Sequence, residues 1–135
     1  MNSIIIIHND EKISSAEYNG LESLQKGVGG YIEVGGVRLF KLGGREVGVI
    51  LYCDEEYLLK NDGKQVKINA LASSLVNNPI YGNVVLIKEG TGEEEDPFDD
   101  KECDELINQL KAYRKENWAG ELYKLHKRYD GVIKL

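Results

Sequence analysis

The chain has 135 residues, 41% of them hydrophobic and 30% charged, with a formal net charge of −6. That size and balance fit one folded domain and exclude a disordered tail or a membrane-embedded protein. Ten acidic residues and one lysine lie between Glu89 and Glu105, so the acidity sits in one segment, the rest of the chain is slightly basic, and direct nucleic-acid binding is disfavoured.

The longest apolar run near the start, Ile4 to Ile7, is far too short for a membrane span or a signal-peptide core, which points to a cytoplasmic protein. Four β-branched residues in a row predict a strand covered on both faces. Asn19 followed by Glu22 has the spacing of an N-cap and its partner, predicting a short helix over about Gly20 to Lys26 that stops at Gly27. Next come Tyr31 to Val34, Gly35-Gly36, Val37 to Leu42, Gly43-Gly44 and Arg45 to Cys53. Glycine pairs supply the positive φ angles of tight hairpins, so three strands joined by two Gly-Gly turns are predicted, an antiparallel meander. Val47, Val49, Leu51 and Cys53 share one face of the third run, and Gly48 marks a candidate bulge.

Asp54 to Lys60 leaves the sheet, and Asn61 to Lys64 is a turn by composition. Asn69 is placed to cap a short helix carrying Ala70, Leu71, Ala72 and Leu75, ending near Asn77-Asn78-Pro79. Val84 to Ile87 is another buried strand, and residues 89–100 are a polar, acidic loop. Asp99 and Glu102 have capping-box spacing ahead of Cys103, Leu106, Ile107, Leu110 and Tyr113 at helical intervals, with Trp118, Leu122 and Leu125 beyond and Gly120 as a break. The tail from Val132 to Leu135 reads as a last short strand. The expected fold is α+β: a small antiparallel sheet with short helices and a C-terminal helical extension. Residues 1–88 form the body, 89–100 the acidic loop, and 101–135 the extension, packed on the same domain.

The stretch from Leu24 to Val34, Leu-Gln-Lys-Gly-Val-Gly-Gly-Tyr-Ile-Glu-Val, resembles a family of small proteins encoded by phages and mobile elements, domain of unknown function family 3846. Asp54-Glu55-Glu56 stands where that family tends to have Asn-Glu-Glu, Asn69-Ala70 matches its Asn-Ala pair, and Tyr81 to Val85 is similar to its glycine-plus-strand ending. The resemblance covers about residues 2–88. It departs at Asp54 and in a longer Val37–Arg45 segment. What it implies is a phage or mobile-element setting, with a host cell's cytoplasm as the location and counter-defence as the function class.

His8 and His126 are the two histidines, and Cys53 and Cys103 the two cysteines. Strand and helix cysteines read as reduced core residues, and the spacing supports no nucleophile–base pair and no zinc site. The acidic run lacks the alternation of an EF-hand loop, so neither a metal nor a cofactor is expected. Gly27 to Gly30 lacks dinucleotide and P-loop spacings and fits a helix C-cap, although exposed amides in such a loop can hold a phosphate or a nucleobase edge. Tyr31, Tyr52, Tyr57 and Tyr81 cluster around the same motifs and could stack on a base.

Three functions follow. The first is a non-enzymatic binding protein that sequesters a nucleotide-like ligand at Gly29, Gly30, Tyr31, Glu33, Glu55, Glu56 and Asn69. The alternative is an inhibitor that blocks a host protein through Glu93, Glu94, Glu95, Asp96, Asp99 and Asp100, as a DNA mimic or interaction module. The third is a small enzyme using Glu33, Glu55 or Glu56 as acid and base. An exposed sheet edge leaves room for a homo-oligomer.

Overall fold

A computed structural model describes residues 1–61, 66–90, 92 and 95–117. Five strands, β1 (Ser3–Ile7), β2 (Ile13–Glu17), β3 (Ile32–Leu42), β4 (Arg45–Asp54) and β5 (Val84–Lys88), form one sheet in the order β2-β1-β5-β4-β3. Every pairing is antiparallel. Helices α1 (Leu21–Val28), α2 (Tyr57–Lys60), α3 (Ala70–Val76) and α4 (Asp100–Asn117) complete the fold, which is α+β. A meander is present, made of β3, β4 and β5, with α2 and α3 inserted before its last strand.

The isoleucine run explains the layering. Side chains alternate across a strand, so Ile4 and Ile6 face one side and Ile5 and Ile7 the other. Ile4 packs with Leu24 and Val28 of α1 and with Val85 and Ile87, while Ile6, Ile50 and Tyr52 border that cluster. On the opposite face Ile5, Ile7, Val49, Leu51, Val84 and Leu86 meet Leu71 and Leu75 of α3 and Cys103, Leu106 and Leu110 of α4. Helix α1 thus covers one face of the sheet, and α3 and α4 cover the other.

The second glycine pair is the expected hairpin turn: Gly43 and Gly44 have φ 61° and 80° and join β3 to β4. Gly35-Gly36 is not a turn. It lies inside one long strand at a register shift between Val34 and Gly36, where a Cβ on Gly35 would sit 2.9 Å from Ile80 Cδ1 and one on Gly36 2.6 Å from Val76 Cγ1. These glycines admit the C-terminal end of α3 and the loop after it against a bulged strand. Gly48 likewise makes no bulge; it pairs with Leu39.

Helix α1 differs from expectation at both ends. Gly20, not Asn19, is its N-cap and has no side-chain cap. The local hydrogen bonds come instead from Ser23, whose hydroxyl accepts from the Asn19 N–H at 2.9 Å and donates to the Gly20 carbonyl at 2.7 Å. The helix runs through Gly27 to a left-handed cap at Gly29; position 27 takes glycine because a Cβ there would collide with Val85 and only a bare backbone fits that close to the sheet. Strand β2, with the weakly patterned sequence Ile-Ser-Ser-Ala-Glu, carried no readable signal.

Asn69 caps α3 as expected, accepting from the Ala72 N–H. The capping box on α4 also forms: Asp99 Oδ1 accepts from the Glu102 N–H at 2.8 Å, and the Asp99 N–H donates back to Glu102 Oε1 at 3.0 Å. Helix α4 is fastened along its length. Lys88 pairs with Glu102 at 2.9 Å, Glu105 accepts from the Gly43 N–H, Gln109 donates to the Lys41 carbonyl, and Arg114 donates to the Glu11 carbonyl. With Phe98, Leu106 and Leu110 wholly buried, each contributing about 1.5–3 kcal/mol of apolar burial, this segment belongs to the core. Trp118 to Leu135, including His126 and the expected last strand, lie outside the described residues, as does most of the turn after Asn61.

Candidate functional site

A sheet five strands wide spans about 24 Å, whereas one helix is about 10 Å across. Among the described residues α1 packs over β4 and β5 and also meets β3, and so leaves part of its own face of the sheet open. On the β1–β2 side this opening is a groove of about 560 Å3. Ile6 and Ala16 line its sheet side, Glu22, Ser23, Lys26 and Gly27 form the helix side, and His8, Glu17, Asn19 and Asn83 complete the lining. Ile6 pairs with Ser14 and Ile4 with Ala16, so β2 presents Ser14 and Ala16 to the face that α1 occupies. The spacing of Glu22 and Lys26 sets both on one exposed helix surface.

Polar groups at one end of the groove are held in place. His8 Nε2 lies 2.7 Å from Ser14 Oγ, and the Asn83 amide oxygen accepts from the Asn9 N–H at 2.9 Å. A fixed imidazole, a fixed amide, a lysine and two carboxylates around an apolar floor can orient a small ligand bearing both apolar surface and polar edges. Among the described residues no carboxylate hydrogen-bonds the His8 ring, so the Ser14–His8 contact lacks the orienting third member of a hydrolytic triad.

The residues expected from sequence divide between places. Gly29, Gly30 and Tyr31 line a more open hollow of about 570 Å3 beyond the C-terminal end of α1, and it shares Glu22 and Lys26 with the groove. A third hollow, about 230 Å3, lies between Gly29, Asn9, Asp54, Tyr57, Lys60 and Asn83. There Lys60 pairs with the buried Asp54 carboxylate and donates to the Gly29 carbonyl at 2.9 Å, while Asp54 Oδ1 accepts from the Glu56 N–H at 2.9 Å. This ion pair ties the glycine loop to the end of β4. Glu33, Glu55, Glu56 and Asn69 line none of these three hollows.

Asn69 is only 2% exposed and fully engaged. Its NH2 group donates to the Ile7 and Gly82 carbonyls, both at 2.9 Å, and its oxygen accepts from the Ala72 N–H at 3.1 Å. Its role is to join α3, β1 and the entry to β5. Glu33 is exposed and accepts a weak hydrogen bond from the Cys53 thiol, 3.9 Å away. Burial, and then the Glu33 carboxylate, push that thiol up to about 12, so it stays protonated and unreactive near neutrality. Burial also raises the Cys103 thiol. Tyr57 and Tyr81 stack on each other with centroids 6.3 Å apart, Tyr52 is half-buried, and Tyr31 is exposed.

Of the acidic candidates, Glu93 and Glu94 lie outside the described residues. Asp99 is engaged in the capping box, Asp100 pairs with the N-terminal amine at 3.1 Å, and the backbone of Asp96 bridges to Lys88. Among the described residues no group of three or more His, Cys, Asp or Glu side chains converges to hold a metal ion, and no helix is long and apolar enough to cross a membrane. The groove is not legible in the sequence, because its wall, β2, is weakly patterned and its far end, Asn83, is remote in sequence from α1. The one local signal was the Glu22–Lys26 pair.

The sequence model of the family described as Domain of unknown function (DUF3846) matches residues 1–111. The match extends past the stretch that carries the resemblance, through the acidic loop and into α4. No curated protein and no solved structure matches the chain.

Proposed function

The chain belongs to the DUF3846 family, and from that premise we propose that it is a non-enzymatic binding protein that captures a small nucleotide-like ligand in the groove between α1 and the β1–β2 hairpin. The observation that carries this reading is the groove's construction: an apolar floor of Ile6 and Ala16, a bare helix backbone at Gly27, and Lys26, His8, Asn19 and Asn83 around it. A flat base would lie on the floor, the amides and Ser23 would meet its polar edge, and Lys26 would meet a phosphate. The glycine loop and Tyr31 extend the same surface past α1 and can hold the ligand's other end. In a phage or mobile element such a protein would act in counter-defence, sequestering a nucleotide signal in the host cytoplasm.

The test is to incubate the purified chain with nucleotides extracted from infected cells, remove unbound material, denature the protein and identify what is released by mass spectrometry. One intact nucleotide at stoichiometric level, lost in Ala16→Trp, is the expected result. A chemically altered nucleotide would replace binding with catalysis. An empty protein would overturn the proposal.

A further inference from the structure

The charges around the groove decide which phosphate it accepts. Lys26 lies one turn beyond Glu22 on α1, a spacing at which two side chains are neighbours on the helix surface. Both are exposed and both line the groove. A second carboxylate, Glu17, belongs to the rim: Ala16 is set toward α1 by its pairing with Ile4, so alternation turns the Glu17 side chain off the floor. Among the described residues the lining thus offers an anion one ammonium group, and that group already has a carboxylate beside it. Lys60, in the neighbouring hollow, is spent on the Asp54 carboxylate and the Gly29 carbonyl.

The glycine loop brings no phosphate donor at Gly29 or Gly30. Their N–H groups both donate to the Gln25 carbonyl, at 2.9 and 3.1 Å, and so close the C-terminal end of α1, the end at which a helix dipole is negative. What the loop and Tyr31 can hold is therefore an uncharged part of the ligand.

Phosphate esters differ in the charge they bring. A monoester ionises a second time near about pH 6 and carries close to two negative charges at neutrality. A triphosphate carries more, and a diester carries one. The first charge meets Lys26, but each further charge faces Glu22 with no cation to answer it, on a molecule of net charge −6. Two unit charges about 8 Å apart change a binding constant about twofold at the dielectric of water and about thirtyfold at an effective value of about 20. Resting on the nucleotide reading of this groove, we infer that its ligand is a nucleotide phosphodiester, with its single negative charge on Lys26, and that Glu22 is the residue that rejects monoesters and polyphosphates.

The experiment is isothermal titration calorimetry of the full chain with the 5′-monophosphates of adenosine, guanosine, cytidine and uridine, their methyl esters and the matching triphosphates. Methylation removes one charge and keeps base and sugar. For the base that binds, the methyl ester should bind about threefold to thirtyfold more tightly than the monophosphate, and the triphosphate most weakly. Glu22→Gln should lose most of that preference, and Lys26→Met should weaken the ester to the level of the uncharged nucleoside. Both positions are exposed, so neither change enters the core. A monophosphate or triphosphate that binds as tightly as the ester, with binding lost in Ala16→Trp, would overturn the charge selection and leave the groove a nucleotide site. An ester preference unchanged in Glu22→Gln would also overturn the inference. If none of these compounds binds a chain that still captures a nucleotide from infected cells, the inference falls alone; if nothing is captured there either, it falls with the proposed function.

Discussion

Asn69→Ala separates a binding role for Asn69 from a structural one. The side chain caps α3 through the Ala72 N–H and joins two other segments through the Ile7 and Gly82 carbonyls. Loss of an N-cap costs about 1 kcal/mol, and each of the two buried hydrogen bonds to carbonyl contributes about 1 kcal/mol net. The expected destabilisation is therefore about 3 kcal/mol, a large share of the roughly 5–15 kcal/mol that holds a domain together. Asn69→Asp keeps the cap acceptor but turns a carboxylate toward the two carbonyls, so it should be at least as damaging. Urea unfolding followed by circular dichroism measures both. A loss below about 1 kcal/mol in Asn69→Ala, with ligand capture abolished, would refute the structural assignment.

Gly36→Ala should cost about 1–3 kcal/mol by forcing a methyl against Val76, and Val76→Ala in the same chain should recover part of that loss but none of the strain in Gly43→Ala. Leu106→Ala should cost about 2–5 kcal/mol in urea unfolding if α4 completes the core; a loss under about 1 kcal/mol would make the helix an appendage. The Cys53 thiol holds its proton in the folded chain up to about 12, against 9.0 for an unperturbed thiol. Unfolding therefore releases a proton between those values, and stability should fall as pH rises through that range, more steeply than in Cys53→Ala. Equal slopes for the two proteins would contradict the assignment.

What was legible in the sequence was whatever depends on near neighbours. The isoleucine run announced a strand buried on both faces, Asn69 and the Asp99–Glu102 box announced their helices, and Gly43-Gly44 announced a hairpin. Gly35-Gly36 has the same two letters and a different cause, since its need for glycine comes from Val76 and Ile80, some 40 residues further on. Gly27 has the look of a stop signal in the helix sequence, where the sheet beneath it, Val85 above all, cannot be seen. The candidate site followed the same rule. The glycine loop and Tyr31 were found because they form a local motif, whereas the groove joins Ile6, Ala16, Lys26 and Asn83, which only the sheet order brings together.

The most direct measurement is a titration of the 15N-labelled chain with a panel of nucleoside monophosphates, dinucleotides and cyclic dinucleotides, followed by 1H–15N correlation spectra. At least one nucleotide should shift the amides of His8, Ala16, Ser23 and Gly27 together, with none of these shifts in Ala16→Trp. Spectra unchanged by every nucleotide, or shifts confined to residues distant from α1 and the β1–β2 hairpin, would contradict the central claim.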